Sequence, residues 1–176
     1  YQTCYAKVPG AIAAPTAGLH FTQRVLRQLE ERDVRFFELT LHIGLGTFTA
    51  VESRDVREHQ MHAEYFSFDP AELKLLRECK ARGEKLVAVG TTVTRVLETL
   101  AQEDYQRHSG LTDIFIHPPY NFRMVDGLLT NFHLPRSTVL MLVSALCGRE
   151  FLMQAYREAV RERYRFFSYG DCMLVL

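Results

Sequence analysis

A net charge is the first thing this 176-residue sequence lacks: 21 Lys and Arg stand against 21 Asp and Glu. That balance excludes a globally basic nucleic-acid binder and leaves room for a local basic patch. Long apolar runs are missing too. The longest, Val139 to Cys147, is too short to span a bilayer and contains Ser144. No basic segment leads into an apolar one at the start, so nothing there reads as a secretory signal. The four cysteines, Cys4, Cys79, Cys147 and Cys172, form no CxxC pair. Their wide spacing predicts buried free thiols in a reducing cytosol and argues against a zinc site. Neither GxGxxG nor GxxxxGK[ST] occurs, which counts against a dinucleotide or P-loop enzyme. An initiator Met is also absent, and the abrupt "YQTCYAKVPG" suggests a chain that begins inside a longer protein.

What is present is a globular composition, 47% hydrophobic and 24% charged, of a length that suits one domain. Such a chain buries roughly two-thirds of its unfolded surface. The segment "LHFTQRVLRQLEERD" places Leu19, Val25, Leu26 and Leu29 on one helical face. "VRFFELTLHI" is β-rich and runs into the glycine turn "GLGTF". Asp69 as N-cap, Pro70 at the first helical position and Gly83 as stop frame another helix. "KLVAVGTT" and "TDIFIHP" read as short strands buried on both faces, and "DGLLTNF" as one more. Ser137 caps a helix over "TVLMLVSALCG", an amphipathic helix follows, and "FFSYGDCMLVL" ends in a strand. Alternating strands and helices predict an α/β domain with a largely parallel sheet, or an incomplete barrel, with flanking helices. Sites in such folds lie at the carboxyl ends of strands. "HIGLGTF", "VGTT", "IHPPY" and "TNFHLPRS" would then form one site.

The stretch "NFHLPRST" carries the sharpest chemistry. Pro135 holds Leu134 extended, and the helix start at Ser137 with Arg136 favours an anion. His133 can act as acid or base; a capping turn with a packed histidine is the plain alternative. In "VAVGTTVTRVLET", Thr91 and Thr92 can bond a ligand at a helix start, with Arg95 one turn on, though an ordinary βα turn explains them equally. Thr16 and His20 in "APTAGLHF" sit four apart on an expected helix. His59, His62 and Glu64 lack the HExxH spacing, so they suit a substrate contact better than a metal. In "RERYRFF", Arg161, Arg163, Tyr164 and Arg165 mix cations with an aromatic ring, a pairing suited to unpaired RNA or to a solvated helix end.

Taken in order, "YQTCYAKVPGAIAAPTAGLHFT", "LHIGLGTF", "HQMHAEY", "VAVGTTVTRVLE", "TDIFIHPPYNFRMVDGLLTNFHLPRSTVLMLVSAL" and "RFFSYGDCMLVL" closely resemble the S-adenosylmethionine:tRNA ribosyltransferase-isomerase family of queuosine biosynthesis. The resemblance runs from Tyr1 to Leu176. His117 departs from the tyrosine of the family's "IFIYP" segment. Family members start well upstream and include a β-rich insert, so the resemblance implies the C-terminal part of a catalytic domain. It implies transfer of the ribosyl portion of S-adenosylmethionine to 7-aminomethyl-7-deazaguanine at the tRNA wobble position. Epoxyqueuosine forms, and adenine and methionine leave. No metal or further cofactor is implied, because S-adenosylmethionine is a co-substrate. The implied partners are S-adenosylmethionine and the tRNA anticodon loop; a cytoplasmic monomer without membrane contact is expected. Several proton transfers are needed, and His133, His20 and Asp126 are the candidates for them. Thr16, Thr91, Thr92, Arg95, Asn131, Arg136 and Asp171 are the candidate substrate contacts. Arg161, Arg163, Tyr164 and Arg165 are the candidate tRNA contacts. A non-catalytic tRNA-binding fragment, or an unrelated nucleotide-binding α/β enzyme, stands as the alternative.

Overall fold

The computed structural model describes residues 1–44 and 55–176. Its elements in chain order are α1 (Gln23–Glu30), β1 (Leu39–His42), β2 (Glu64–Phe68), α2 (Pro70–Ala81), β3 (Val87–Val89), α3 (Thr91–Gln102), β4 (Ser109–Thr112), β5 (Gly127–Asn131), α4 (Thr138–Cys147), α5 (Arg149–Arg161) and β6 (Cys172–Val175). Short 3-10 turns cover Thr16–His20 and Phe167–Tyr169.

Local chemistry accounts for most boundaries. Asp69 Oδ1 accepts the Ala71 and Glu72 N–H groups at 2.9 and 3.0 Å, and Pro70 needs no such partner. Ser137 Oγ accepts the Leu140 N–H at 3.3 Å and starts α4. Gly148, at φ +83°, joins α4 to α5 with a bend of 114°. In β2 the alternation buries Glu64, Phe66 and Phe68 and turns Tyr65 outward.

The sheet expectation fails. Two three-stranded sheets form in place of one largely parallel sheet. The first, β1-β2-β4, is antiparallel throughout. The second, β3-β5-β6, is mixed, and β3 with β5 is its parallel pair. Two helices in succession separate β5 from β6. The chain therefore re-enters where β5 ends, pairing Cys172 with Asn131, and runs backwards. β3 covers three residues, with Val87 41% exposed and Ala88 buried, so it is not buried on both faces. "TDIFIHP" is not a strand either: pairing with β2 stops at Thr112. Its apolar character reflects packing of Ile116 into the core, where it is 2% exposed. The helix expected from Leu19 splits into a 3-10 turn and α1, which starts at its own cap, Thr22. The glycine turn read at 44–48 lies outside the described residues beyond Gly44. Of the four free cysteines, Cys79 is buried and Cys4 is exposed, which corrects the expectation of four buried thiols. Among the described residues, no single helix is long and apolar enough to cross a membrane.

One core joins both sheets. It includes Phe66 and Phe68 from β2, Leu73 and Leu76 from α2, Val96 and Leu100 from α3, Leu128 from β5, Leu142 and Val143 from α4, and Leu152 from α5. Burying each such side chain contributes about 1.5–3 kcal/mol. Through this core runs the polar flank of α3. Arg95 Nη1 donates to Glu64 Oε2 at 2.7 Å, with both side chains at most 5% exposed. Thr99 and Thr112 hydroxyls meet at 2.7 Å. Glu98, fully buried, accepts the backbone N–H groups of Arg123, Met124 and Val125 at 2.9, 2.9 and 3.0 Å, and the Tyr120 hydroxyl at 3.2 Å. Removing that carboxylate strands two buried donors, the Met124 and Val125 N–H groups, and a part-buried one at Arg123. Glu98→Ala is therefore expected to lose at least about 3 kcal/mol. Urea unfolding of the variant against wild type measures it; a loss below 1 kcal/mol contradicts the cage.

Candidate functional site

Because β3 and β5 are parallel, "VGTT" and "TNFHLPRS" emerge at the same end of the second sheet. Gly90 ties them together: its N–H donates to Leu129 O at 2.8 Å. Its φ of +98° suits glycine, and the 3-10 turn Thr16–His20 lies against it, with Ala17 Cβ 3.7 Å from where a side chain would begin. The end of this sheet thus gathers Thr16, His20, Thr91, Thr92, Asn131 and His133. In a 3-10 turn residues three apart share a face, so Thr16 and His20 lack the alignment expected of a helix.

Two polar zones result. The first is a corner around Asn131, which is 4% exposed. Its Nδ2 lies 3.1 Å from Phe167 O, 3.3 Å from Asp171 O and 3.3 Å from His20 Nε2. His133 follows two residues later. Its Nε2 is 2.9 Å from the Thr130 hydroxyl, and its backbone N–H donates to the Tyr156 hydroxyl at 2.7 Å. Burial disfavours the charged imidazolium and pushes the His133 pKa down to about 4. Burial likewise raises the Tyr156 phenol to about 12, so it stays protonated beside His133. The second zone is a cleft lined by Thr91, Thr92, Arg95, Thr138, Phe115 and Leu142, where the first turns of α3 and α4 converge. No side chain caps α3.

Other candidates lie differently. Arg95 faces the cleft but is held by Glu64 and by the carbonyls of Ile114 and Thr112, at 3.2 and 3.4 Å. Burial pushes its pKa down, while Glu64 opposes the shift. Asp126 precedes β5, at the far end of the strand from Asn131. There it accepts from Lys80 at 2.5 Å, from the Leu86 N–H at 2.8 Å and from Lys85 at 3.4 Å. The fold does not bring Asp126 to the corner. Asp171 sends its carbonyl to Asn131, while its carboxylate binds the Arg165 N–H at 2.5 Å and the Arg165 guanidinium at 3.1 Å. The hydrogen bond from Arg165 holds the Asp171 carboxyl below its usual range.

Arg165 is therefore engaged. Arg161 pairs with Glu158 and Glu162. Arg163 and Arg136 are exposed, at φ +59° each, and make no ion pair among the described residues. Tyr164 is 48% exposed, its ring edge-on to Phe132 at 5.6 Å. His59 packs its ring on Phe115 at 5.2 Å, His62 is exposed, and Glu64 serves Arg95. His117 sits against Phe115 at 4.9 Å, with Nδ1 3.0 Å from Pro118 O. Glu98 and Tyr156 escaped sequence reasoning. Their partners are backbone N–H groups, which no residue type marks.

The family model described as "Queuosine biosynthesis protein" matches residues 1–175. A protein of Moorella thermoacetica named S-adenosylmethionine:tRNA ribosyltransferase-isomerase is 56% identical over 178 residues, covering 100% of this chain and 52% of that protein. Its namesake in Thermotoga petrophila is 54% identical, with 100% and 53% covered. A crystal structure of S-adenosylmethionine tRNA ribosyltransferase from Thermotoga maritima superposes with a TM-score of 0.74 at 46% identity. It covers 91% of this chain and 51% of the other. The chain spans about half the length of the curated relatives it matches.

The His133 environment sets a pH dependence. Its folded pKa lies below the ordinary 6.5, so the unfolded chain takes up the proton first. Stability is fully present above pH 6.5 and declines as pH falls towards about 4. The gap corresponds to about 3 kcal/mol. Urea unfolding at pH 7, 6, 5 and 4 should show that decline, and His133→Gln should flatten it. An unchanged slope in His133→Gln contradicts a buried neutral His133.

Proposed function

The chain belongs to the family of queuosine biosynthesis proteins, and from that premise we propose that it carries the ribosyl-transfer site of an S-adenosylmethionine:tRNA ribosyltransferase-isomerase. The ribosyl portion of S-adenosylmethionine moves to 7-aminomethyl-7-deazaguanine at the tRNA wobble position. Epoxyqueuosine forms, and adenine and methionine leave. The observation that carries the reading is the meeting of His20 with Asn131 at the end of the second sheet, with His133 two residues further on and bonded to Thr130, inside a stretch shared with the relatives.

The residues suit the chemistry in distinct ways. A sulfonium acidifies the adjacent 5′ carbon, so a base must take a proton there; unprotonated His133 is available as acceptor at neutral pH. His20 Nε2 lies 3.3 Å from Asn131 Nδ2. Thr91, Thr92 and the uncapped start of α3 suit an anionic group such as the methionine carboxylate. Arg136, exposed and without an ion-pair partner among the described residues, is better placed than Arg95 to meet a carboxylate. Thr16 and Asp171 flank the same corner. Arg163 and Tyr164 are the free members of the basic and aromatic surface offered to the anticodon loop, and Arg161 and Arg165 reach it only by exchanging their exposed carboxylate partners for phosphate. The reaction needs no metal or further cofactor, and the protein works as a cytoplasmic monomer.

The decisive experiment incubates the full-length protein with labelled S-adenosylmethionine and tRNA bearing the modified guanine. Adenine and methionine release that requires the tRNA, with ribosyl label entering the tRNA, supports the reading; bound tRNA without release overturns it. In the same assay His133→Ala, with its circular dichroism unchanged, should slow turnover by roughly 10²- to 10⁴-fold. Full activity in a folded His133→Ala protein removes His133 from the chemistry. For the surface, tRNA affinity should fall steeply with salt, and Arg163→Ala should lessen the slope of log K against log salt by about 1. A salt-independent affinity argues against that contact.

A further inference from the structure

Asn131 does more than offer a polar atom. Its amide has two faces, and their surroundings differ. The Nδ2 group donates to two carbonyl oxygens, Phe167 O at 3.1 Å and Asp171 O at 3.3 Å, and lies 3.3 Å from His20 Nε2. Its Oδ1 is buried without a hydrogen-bond partner among the described residues. Turning the amide over would push Oδ1 against two carbonyl oxygens, so those carbonyls fix which end is the donor. Phe167 helps to hold this arrangement. It sits at φ +60°, an outlier for a bulky residue, with its N–H bonded to Phe132 O at 2.8 Å and its carbonyl facing Asn131.

A donor fixed in this way dictates the histidine opposite. An N–H on His20 Nε2 would point at the amide hydrogens of Asn131. Nε2 must therefore be the lone-pair nitrogen, and in the neutral ring the proton lies on Nδ1. We propose that Asn131 is a positioning residue that holds His20 in the Nδ1–H tautomer, so that His20 offers a ligand a hydrogen-bond donor and not a basic lone pair. The lone pair faces Nδ2, whose two hydrogens are shared among the two carbonyls and His20. The ligand atom that suits His20 is a hydrogen-bond acceptor, such as a ring nitrogen or a hydroxyl oxygen of a nucleoside. Its use in the reaction rests on the ribosyl-transfer reading above; the tautomer does not.

The two failures can be told apart. In the full-length protein labelled with ¹⁵N-histidine, long-range ¹H–¹⁵N spectra at pH 7 report which ring nitrogen carries the proton. His20, assigned by its loss in His20→Gln, should show a protonated Nδ1 and an unprotonated Nε2. A protonated Nε2 in the wild-type protein overturns the proposal, and this measurement needs no variant of Asn131 to fold. Asn131→Asp replaces the donor with an acceptor and should move the His20 proton to Nε2; a folded variant with an unmoved proton also overturns it. Dissociation constants for adenosine add the functional part. Asn131→Asp and His20→Gln should weaken binding by about the same 10-fold or more, and the double variant should be no worse than either. Independent, multiplying losses sink the coupling. A wild-type protein with the Nδ1–H signature that releases no adenine from S-adenosylmethionine refutes the ribosyl-transfer reading and leaves the tautomer standing.

Discussion

The buried polar flank of α3 is the constraint on which the two-sheet arrangement depends. Neither sheet is large enough to form a domain alone, since each has three short strands. Arg95 reaches from α3 to Glu64 on β2, and Thr99 reaches Thr112 on β4. One turn away, Glu98 gathers the chain at 123–125 just before it enters β5 in the other sheet. A charged group taken out of water is costly unless its partners are complete, and truncating one member of a buried pair loses about 3–5 kcal/mol. Apolar packing against α3 would tolerate sliding. A guanidinium and a carboxylate that must find named atoms would not, so they fix where each sheet sits relative to the helix.

That placement has consequences for the site. Once α3 is fixed, its first residues, Thr91 and Thr92, are fixed beside the start of α4. Gly90 then holds β3 to β5 and leaves room for the Thr16–His20 turn. His20 is 111 residues from Asn131 in sequence, yet it lies within hydrogen-bonding distance of it. The corner is dry: His133 is 8% exposed and Asn131 4%. Dryness explains why His133 is uncharged at neutral pH and why one unbonded amide oxygen matters there.

Some of this was legible in the residues. Asp69-Pro70 and Ser137 announce helix starts through side-chain oxygens that act within three residues, so no tertiary information is needed. The Asn131–His133 motif and "VGTT" were likewise visible, and the parallel pairing of β3 with β5 does bring them together. "TDIFIHP" misled because a buried coil and a buried strand have the same composition. Asp126 looked like a site carboxylate in a polar loop, but Lys80, 46 residues earlier, meets it from α2. Residue type alone suggests a tRNA contact for Arg165 and a substrate contact for Asp171, yet the two are partners of each other.

The sequence alone determined the helix caps, the family motifs and the residue types at the polar corner, because these depend on short-range bonding and on local spacing. Tertiary structure decided the rest: the split into two sheets, the direction of β6, the removal of Asp126 from the corner and of Arg95 from free solvent, and the meeting of His20 with Asn131. Each of these depends on which distant group, side chain or backbone, is reached once the core has closed, and neither residue type nor local spacing names that partner.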